Sequence, residues 1–87
     1  MSLVVSLTVS IRIGVPAYNL GDHRGCYEVY ACTARLLLRV EGIPEETRRL
    51  LKDALERASV VPEVGRQAWI VRHAFDAILG GGAGPDD

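Results

Sequence analysis

Two residues near the start of a predicted helix, His23 and Cys26, have side chains that could do chemistry. They lie three positions apart, so a helix places both of them on one face. The N-terminus of that helix and the neighbouring Arg24 would both favour the thiolate form of Cys26, which is the reactive form. This pattern keeps a cysteine-dependent enzyme or redox sensor open as an alternative. Cys26 also begins an apolar stripe, however, and a buried cysteine usually acts as a small hydrophobe.

A second group of candidates lies on the last predicted helix and comprises Trp69, Arg72 and His73. Tryptophan and arginine are over-represented among the residues that dominate binding at protein interfaces, so this group predicts a partner-binding edge. A groove lined by Tyr18 and Tyr27 is the alternative binding surface. Arg72 and Asp76 lie four residues apart, and we expect them to form an ion pair.

The sequence offers no site for a metal or a cofactor. Two cysteines and two histidines match no zinc spacing, and the chain contains neither a phosphate-binding loop nor a nucleophile elbow. We therefore expect a non-catalytic protein with no cofactor and no metal. A net charge of −1 gives no electrostatic attraction for nucleic acid or for an anionic membrane. The low cysteine content favours a reducing compartment, and we expect a cytoplasmic protein.

The length of 87 residues predicts one domain, which buries only about 60 % of its unfolded surface. We expect a helical domain over residues 1–79 and a flexible glycine-rich tail over residues 80–87. The N-terminal segment lacks the basic region of a signal peptide and is too short to span a membrane. Its abrupt beginning is compatible with an excerpt from a longer polypeptide.

Residues 3–13 carry two conflicting patterns. Apolar residues alternate with Ser, Thr and Arg in the period of a half-buried strand, and the β-branched content agrees. Leu3, Leu7, Ser10 and Ile11 also share one helical face. No second strand is predicted anywhere in the chain, and a lone strand has no partner for its backbone groups. We therefore predict a helix. The alternative is an α+β fold in which residues 3–13 form a strand paired between two chains.

Three further helices follow, and the turn before the first of them is the clearest boundary in the sequence. Gly21 can adopt a left-handed conformation, and Asp22 can cap the helix predicted over residues 23–40. That helix is apolar over most of its circumference, so we expect it to be the central one. Pro16 should kink or shorten the helix before this turn, and Pro44 should lie in the first turn of the third helix.

The last two helices are amphipathic. The third buries Leu50, Leu51, Ala54, Leu55 and Ala58, and the fourth, over residues 63–79, buries Val64, Ala68, Val71, Phe75 and Ile78. The exposed face of the third helix alternates in charge at i, i+4 spacing through Glu45, Arg49, Asp53 and Arg57. Short links predict antiparallel neighbours. The predicted fold is all-α, a four-helix array of two antiparallel hairpins.

The first half of the chain resembles one tetratricopeptide hairpin. The matching residues are Ile13 and Gly14 in the first helix, Gly21 at the turn, and Cys26 and Tyr30 in the second helix. The resemblance implies close helix approach at the small positions, with an aromatic side chain inserted between the helices. It also implies a protein-interaction function, because that family is not catalytic. The sequence departs from the family pattern at Ser10, Pro16 and Leu38.

The sequence as a whole predicts a non-catalytic interaction or adaptor module that binds a protein partner. A homodimeric structural protein, assembled through residues 3–13, is the first alternative. A redox sensor or enzyme that uses Cys26 with His23 is the second.

Overall fold

A computed structural model describes residues 2–80 of the chain, which form four α-helices and no strand. The helices are α1 (Leu3–Asn19), α2 (His23–Leu38), α3 (Glu45–Ser59) and α4 (Val64–Leu79). The all-α prediction is therefore confirmed. Residues 3–13 lie inside α1, so the strand alternative for them is wrong. The predicted tail lies outside the described residues, apart from Gly80, which ends α4.

The first helix is longer than its proline suggested. The Ser2 hydroxyl accepts a hydrogen bond from the Val5 amide at 3.3 Å and caps its start. The helix continues through Pro16 to Asn19, so Pro16 does not shorten it, and the alternative of a kink stays a prediction. Pro16 removes only its own donor, and its carbonyl still accepts from the Leu20 amide at 3.0 Å. Packing of Tyr18 against the core also favours the last turn.

The turn between α1 and α2 has the predicted chemistry. Gly21 has a φ of 89°, in the left-handed region that favours glycine. One carboxylate oxygen of Asp22 accepts a hydrogen bond from the Gly25 amide at 2.9 Å, which caps α2. A three-residue link of this kind reverses the chain, so α1 and α2 pack as an antiparallel hairpin.

The link between α2 and α3 differs from the prediction at both ends. α2 ends at Leu38 rather than at Val40, and Pro44 is the N-cap of α3 rather than a residue of its first turn. The Arg48 guanidinium explains the early end, because it donates to the Leu38 carbonyl at 2.7 Å and to the Val40 carbonyl at 3.2 Å. A side chain of α3 thus satisfies carbonyls that α2 leaves without intrahelical partners.

A similar contact joins α3 to α4. The Gln67 amide of α4 donates to the Ala58 carbonyl at 3.0 Å and to the Val61 carbonyl at 2.9 Å. Both carbonyls lie at or just beyond the last turn of α3. Each of these helix ends is therefore capped by the helix that follows it in the chain.

The second helix contacts each of the other three, in agreement with its predicted central position, and α4 does the same. Within the described residues, α1 also contacts α4 but not α3, so the first and last helices meet and close the bundle. The buried core draws on all four helices and comprises Leu7, Cys26, Tyr30, Ala34, Leu37, Leu51, Ala58, Ala68, Val71 and Phe75. The tetratricopeptide resemblance stays a prediction.

Tyr30 lies where three helices meet. Its ring packs directly on Gly14 of α1, where an added Cβ would stand 2.5 Å from the Tyr30 ring. It also contacts Phe75 of α4, whose ring it meets edge-on at a centroid distance of 5.5 Å. Gly14 is therefore required for space, because any larger residue would displace the tyrosine.

The exposed ion pairs follow the predicted ladder only in part. Asp53 pairs with Arg57 at 3.4 Å and Arg72 pairs with Asp76 at 3.1 Å, both as expected. Arg49 pairs with Glu46 on the adjacent turn rather than with Glu45. Exposed pairs of this kind contribute little, about 0–1 kcal/mol each. Among residues 2–80, no helix is long and apolar enough to cross a membrane.

Candidate functional site

Four ring side chains gather where α1 ends, α2 begins and α4 passes beside them. This aromatic cluster comprises Tyr18, His23, Trp69 and His73. The Trp69 indole Nε1 donates a hydrogen bond to the Tyr18 hydroxyl at 3.1 Å, and the two rings meet edge-to-face at 6.0 Å. Tyr18 also stacks on His23 with a centroid distance of 4.0 Å. The tight turn after Asn19 brings Tyr18 and His23 together.

Trp69 is an exposed member of the cluster, as His73 is, with 44 % of its surface open to solvent. It follows the buried Ala68 on α4, so its ring emerges at the edge of the core. The Arg72 guanidinium lies 5.9 Å from the centroid of its ring and donates through Nε to Asp76 at 3.1 Å. His73 is tilted against the indole at 5.5 Å. The indole is thus hydrogen-bonded through its Nε1, and its ring lies against Arg72 and His73.

A cavity of about 120 Å³ opens beside Trp69. It is lined by Val15, Tyr18, Asn19, Cys26, Tyr30, Ala68, Trp69 and Arg72. A shallower depression lies beyond Tyr18 and Trp69, and is lined by these two residues with His23, Glu63, Val64, Gly65 and Arg66. The hydrogen-bonded pair of Tyr18 and Trp69, called here the Tyr18–Trp69 bridge, therefore separates two concave surfaces.

The inner wall of the cavity carries three polar groups. The phenol of Tyr30 interacts with the Cys26 thiol and with the Arg72 guanidinium. Burial raises the pKa of Tyr30, an effect that the thiol increases and the guanidinium opposes. Burial likewise raises the pKa of the Cys26 thiol, and Tyr30 and Arg72 offset part of that rise. Both groups are therefore protonated near neutral pH.

The structure does not bring His23 and Cys26 into a common reactive arrangement. Cys26 is 1 % exposed and its raised pKa is the opposite of what an activated thiolate needs. His23 instead stacks on Tyr18, and Arg24 lies 3.9 Å from Glu28. Cys32 is the exposed cysteine. In residues 2–80, no group of three His, Cys, Asp or Glu side chains could hold a metal ion.

The structure joins most of the predicted partner-binding residues into one surface. Tyr18 lies against Trp69, with Arg72 and His73 beside it, although the sequence suggested two separate alternatives. Tyr27 makes none of the ring contacts of the aromatic cluster and does not line the cavity beside Trp69. His23 joins the cluster through stacking, a role that the sequence argument missed. Its only local signal is the short turn that separates it from Tyr18.

Comparison of the chain with protein-family models, with curated proteins and with solved structures finds no match.

Proposed function

We propose that this chain is a non-catalytic helical interaction module, and that the Tyr18–Trp69 bridge with its adjoining cavity binds a segment of a partner protein. The observation that carries the proposal is a half-exposed indole held in one orientation by a hydrogen bond from its only polar atom to Tyr18. The exposed part of that ring can contact a partner without leaving the N–H group unsatisfied.

The energetics of binding favour such a surface. Each flexible side chain that an interface immobilises costs about 0.5–1.5 kcal/mol, and a side chain that is already fixed avoids most of this cost. Trp69 is held by Tyr18 and lies between Arg72 and His73, so its conformation is largely set before binding. Tryptophan and arginine are also the residues most enriched among interface hot spots.

The cavity indicates what kind of group the partner inserts. Its volume of about 120 Å³ lies well below the ~300 Å³ at which pockets for drug-sized ligands begin. One aliphatic side chain fits this volume. Arg72 uses its Nε for Asp76 and keeps other N–H donors, which can bind a carbonyl or carboxylate of the partner. We therefore expect a peptide segment with one aliphatic anchor and a neighbouring acceptor.

Two free cysteines fit a reducing compartment, and we place this function in the cytoplasm. An adaptor role would need a second binding surface on the same molecule.

The test uses the fact that Trp69 is the only tryptophan of the chain. A random peptide library is selected against the wild-type protein, and each recovered peptide is titrated while the Trp69 emission is followed. The proposal expects binding to shift the emission, and expects Trp69→Ala to weaken binding at least about tenfold, as loss of a hot spot does. Because the variant lacks the fluorophore, its affinity is measured by calorimetry.

The matched control is Val60→Ala, which removes an apolar side chain that is 81 % exposed in the link after α3. It should bind every peptide as the wild type does. Circular dichroism of both variants confirms that they are folded. If the selected peptides bind Trp69→Ala as tightly as the wild type, the bridge is not the binding surface and the proposal fails.

A further inference from the structure

A second surface, far less polar than the first, lies on the other side of the α1–α2 hairpin. Val5, Val9 and Ile13 are spaced four residues apart on α1 and form an exposed ridge, with exposed fractions of 58 %, 47 % and 54 %. A groove of about 310 Å³ runs between this ridge and α2. It is lined by Val5, Ser6, Val9, Ser10, Ile13, Val29, Thr33, Leu36 and Leu37, none of which lines the cavity beside Trp69.

This face is unlike the outer faces of the other helices. The remaining three each carry at least one ion pair on the surface, such as Arg24 with Glu28 on α2 and Asp53 with Arg57 on α3. α1 has seventeen residues but no acidic residue, and Arg12 is its only charged one. A helix face that meets water normally carries polar and charged side chains. The apolar ridge of α1 therefore indicates a surface that is covered.

We propose that this surface binds a second copy of the same chain. The ridge of Val5, Val9 and Ile13 on each copy would lie in the groove between α1 and α2 of the other. A two-fold dimer needs a self-complementary surface, in which residue i contacts residue j and j contacts i. Here the ridge and the groove are adjacent, so one rotation can place each ridge in the opposite groove. Side chains at i, i+4 spacing form the ridges that pack into grooves between helices.

Size agrees with this occupant. The ridge residues themselves carry no charge, and the exposed Arg12 lies three positions from Val9 at the edge of the ridge. The ridge and Leu36, which is 52 % exposed, leave on the order of 400 Å² of apolar surface per copy, about half of the ~800 Å² that one partner contributes to a standard interface. The rims of the groove can supply the rest.

The floor of the groove contains Ser10, which is 3 % exposed and whose hydroxyl has no hydrogen-bond partner within the part of the chain that the structure describes. Because that hydroxyl is buried, a second copy contacts the apolar walls of the groove rather than this group.

The test is the mass of the full chain in solution, measured by sedimentation velocity over a wide range of concentration. The proposal expects a monomer–dimer equilibrium that stops at two copies. Its dissociation constant should be nearly independent of salt up to ~0.5 M, because no charge pair holds the interface. A monomer at every concentration, or masses that grow beyond two copies, would overturn the proposal.

Variants locate the interface. Val9→Asp places a charge at the centre of the ridge and should raise the dissociation constant at least about 100-fold, since a charge buried without a partner is costly. Leu36→Arg places a charge on the opposite wall of the groove and should also raise the dissociation constant. It replaces Val9→Asp as the test if that variant fails to fold. The matched control is Val60→Asp, which introduces the same charge at an exposed apolar position outside the groove and should leave the dimer intact. A dimer that survives both groove variants would place the interface elsewhere.

This result is independent of the function proposed for the Tyr18–Trp69 bridge. Peptide binding followed by Trp69 emission should be unchanged in Val9→Asp, and dimerisation should be unchanged in Trp69→Ala. Either proposal can therefore fail while the other stands.

Discussion

The indole of Trp69 donates a hydrogen bond to the Tyr18 hydroxyl at 3.1 Å, which joins α4 to the last turn of α1 across 51 positions of sequence. This contact fixes the exposed tryptophan and separates the cavity beside it from the depression beyond it. Trp69 is thus an exposed aromatic side chain that a tertiary hydrogen bond holds in place.

Replacing Tyr18 by phenylalanine tests whether this hydrogen bond orients the indole. Tyr18→Phe keeps the ring that stacks on His23 but removes the acceptor for the Trp69 N–H. We expect faster local motion of the indole, visible as a lower residual fluorescence anisotropy, and a loss of about 0.5–1 kcal/mol of stability. Tyr27→Phe, which removes a hydroxyl outside the cluster, should change neither. An unaltered anisotropy in Tyr18→Phe would show that the bond does not restrain Trp69.

Gly14 should tolerate no side chain. Its added Cβ would lie 2.5 Å from the Tyr30 ring, so Gly14→Ala must displace a buried tyrosine. We expect a loss of about 1–3 kcal/mol, measured by urea unfolding, although alanine has the higher helix propensity. Gly65→Ala is the matched control, because the nearest atom is the ring of His23 at 3.2 Å and a surface side chain can shift. The same cost in a Tyr30→Leu background would rule out this clash as the cause.

Arg48 should matter more to stability than the arginines in surface ion pairs. Arg48→Met keeps the alkyl chain but removes the guanidinium that caps the Leu38 and Val40 carbonyls. Since these bonds are partly buried and charge-assisted, we expect a loss of about 1–3 kcal/mol. Arg57→Met, which breaks only the exposed pair with Asp53, should cost no more than about 0.5 kcal/mol. Equal losses of stability from the two substitutions would show that the Arg48 cap contributes no more than an exposed ion pair.

Cys26 should make stability depend on alkaline pH. Burial raises the pKa of its thiol above the value of 9.0 expected when unfolded, so the folded state retains a proton that the unfolded state releases. Its contribution is complete below pH 9.0 and is lost as the pH rises through the folded-state pKa. Cys26→Ala should flatten the fall in unfolding free energy above that pH, whereas Cys32→Ala should not. A fall that is unchanged in Cys26→Ala would refute the assignment to this thiol.

Much of the fold could be predicted because its signals are local. Gly21 and Asp22 predict the turn before α2. The structure has the left-handed φ at Gly21 and the helix cap at Asp22. The apolar circumference of α2 predicted that it packs against all the other helices, although α4 does so as well. Helix ends were less predictable, since the Leu38 carbonyl at the end of α2 is bound by Arg48, ten residues later. Pro16 was misjudged because one missing donor does not end a helix whose last turn packs on the core.

The sequence by itself determined the all-α class and the turn chemistry, because periodicity and capping depend on neighbours along the chain. Residues 3–13 carried both a strand pattern and a helical face, and the missing second strand favoured the helix that the structure contains. The tertiary structure alone decided that Tyr18 meets Trp69 and that Tyr27 does not. It also decided that Val5, Val9 and Ile13 form an exposed ridge on α1. These outcomes depend on how the helices pack against one another. A contact between residues that are distant in sequence produces no local pattern in the sequence.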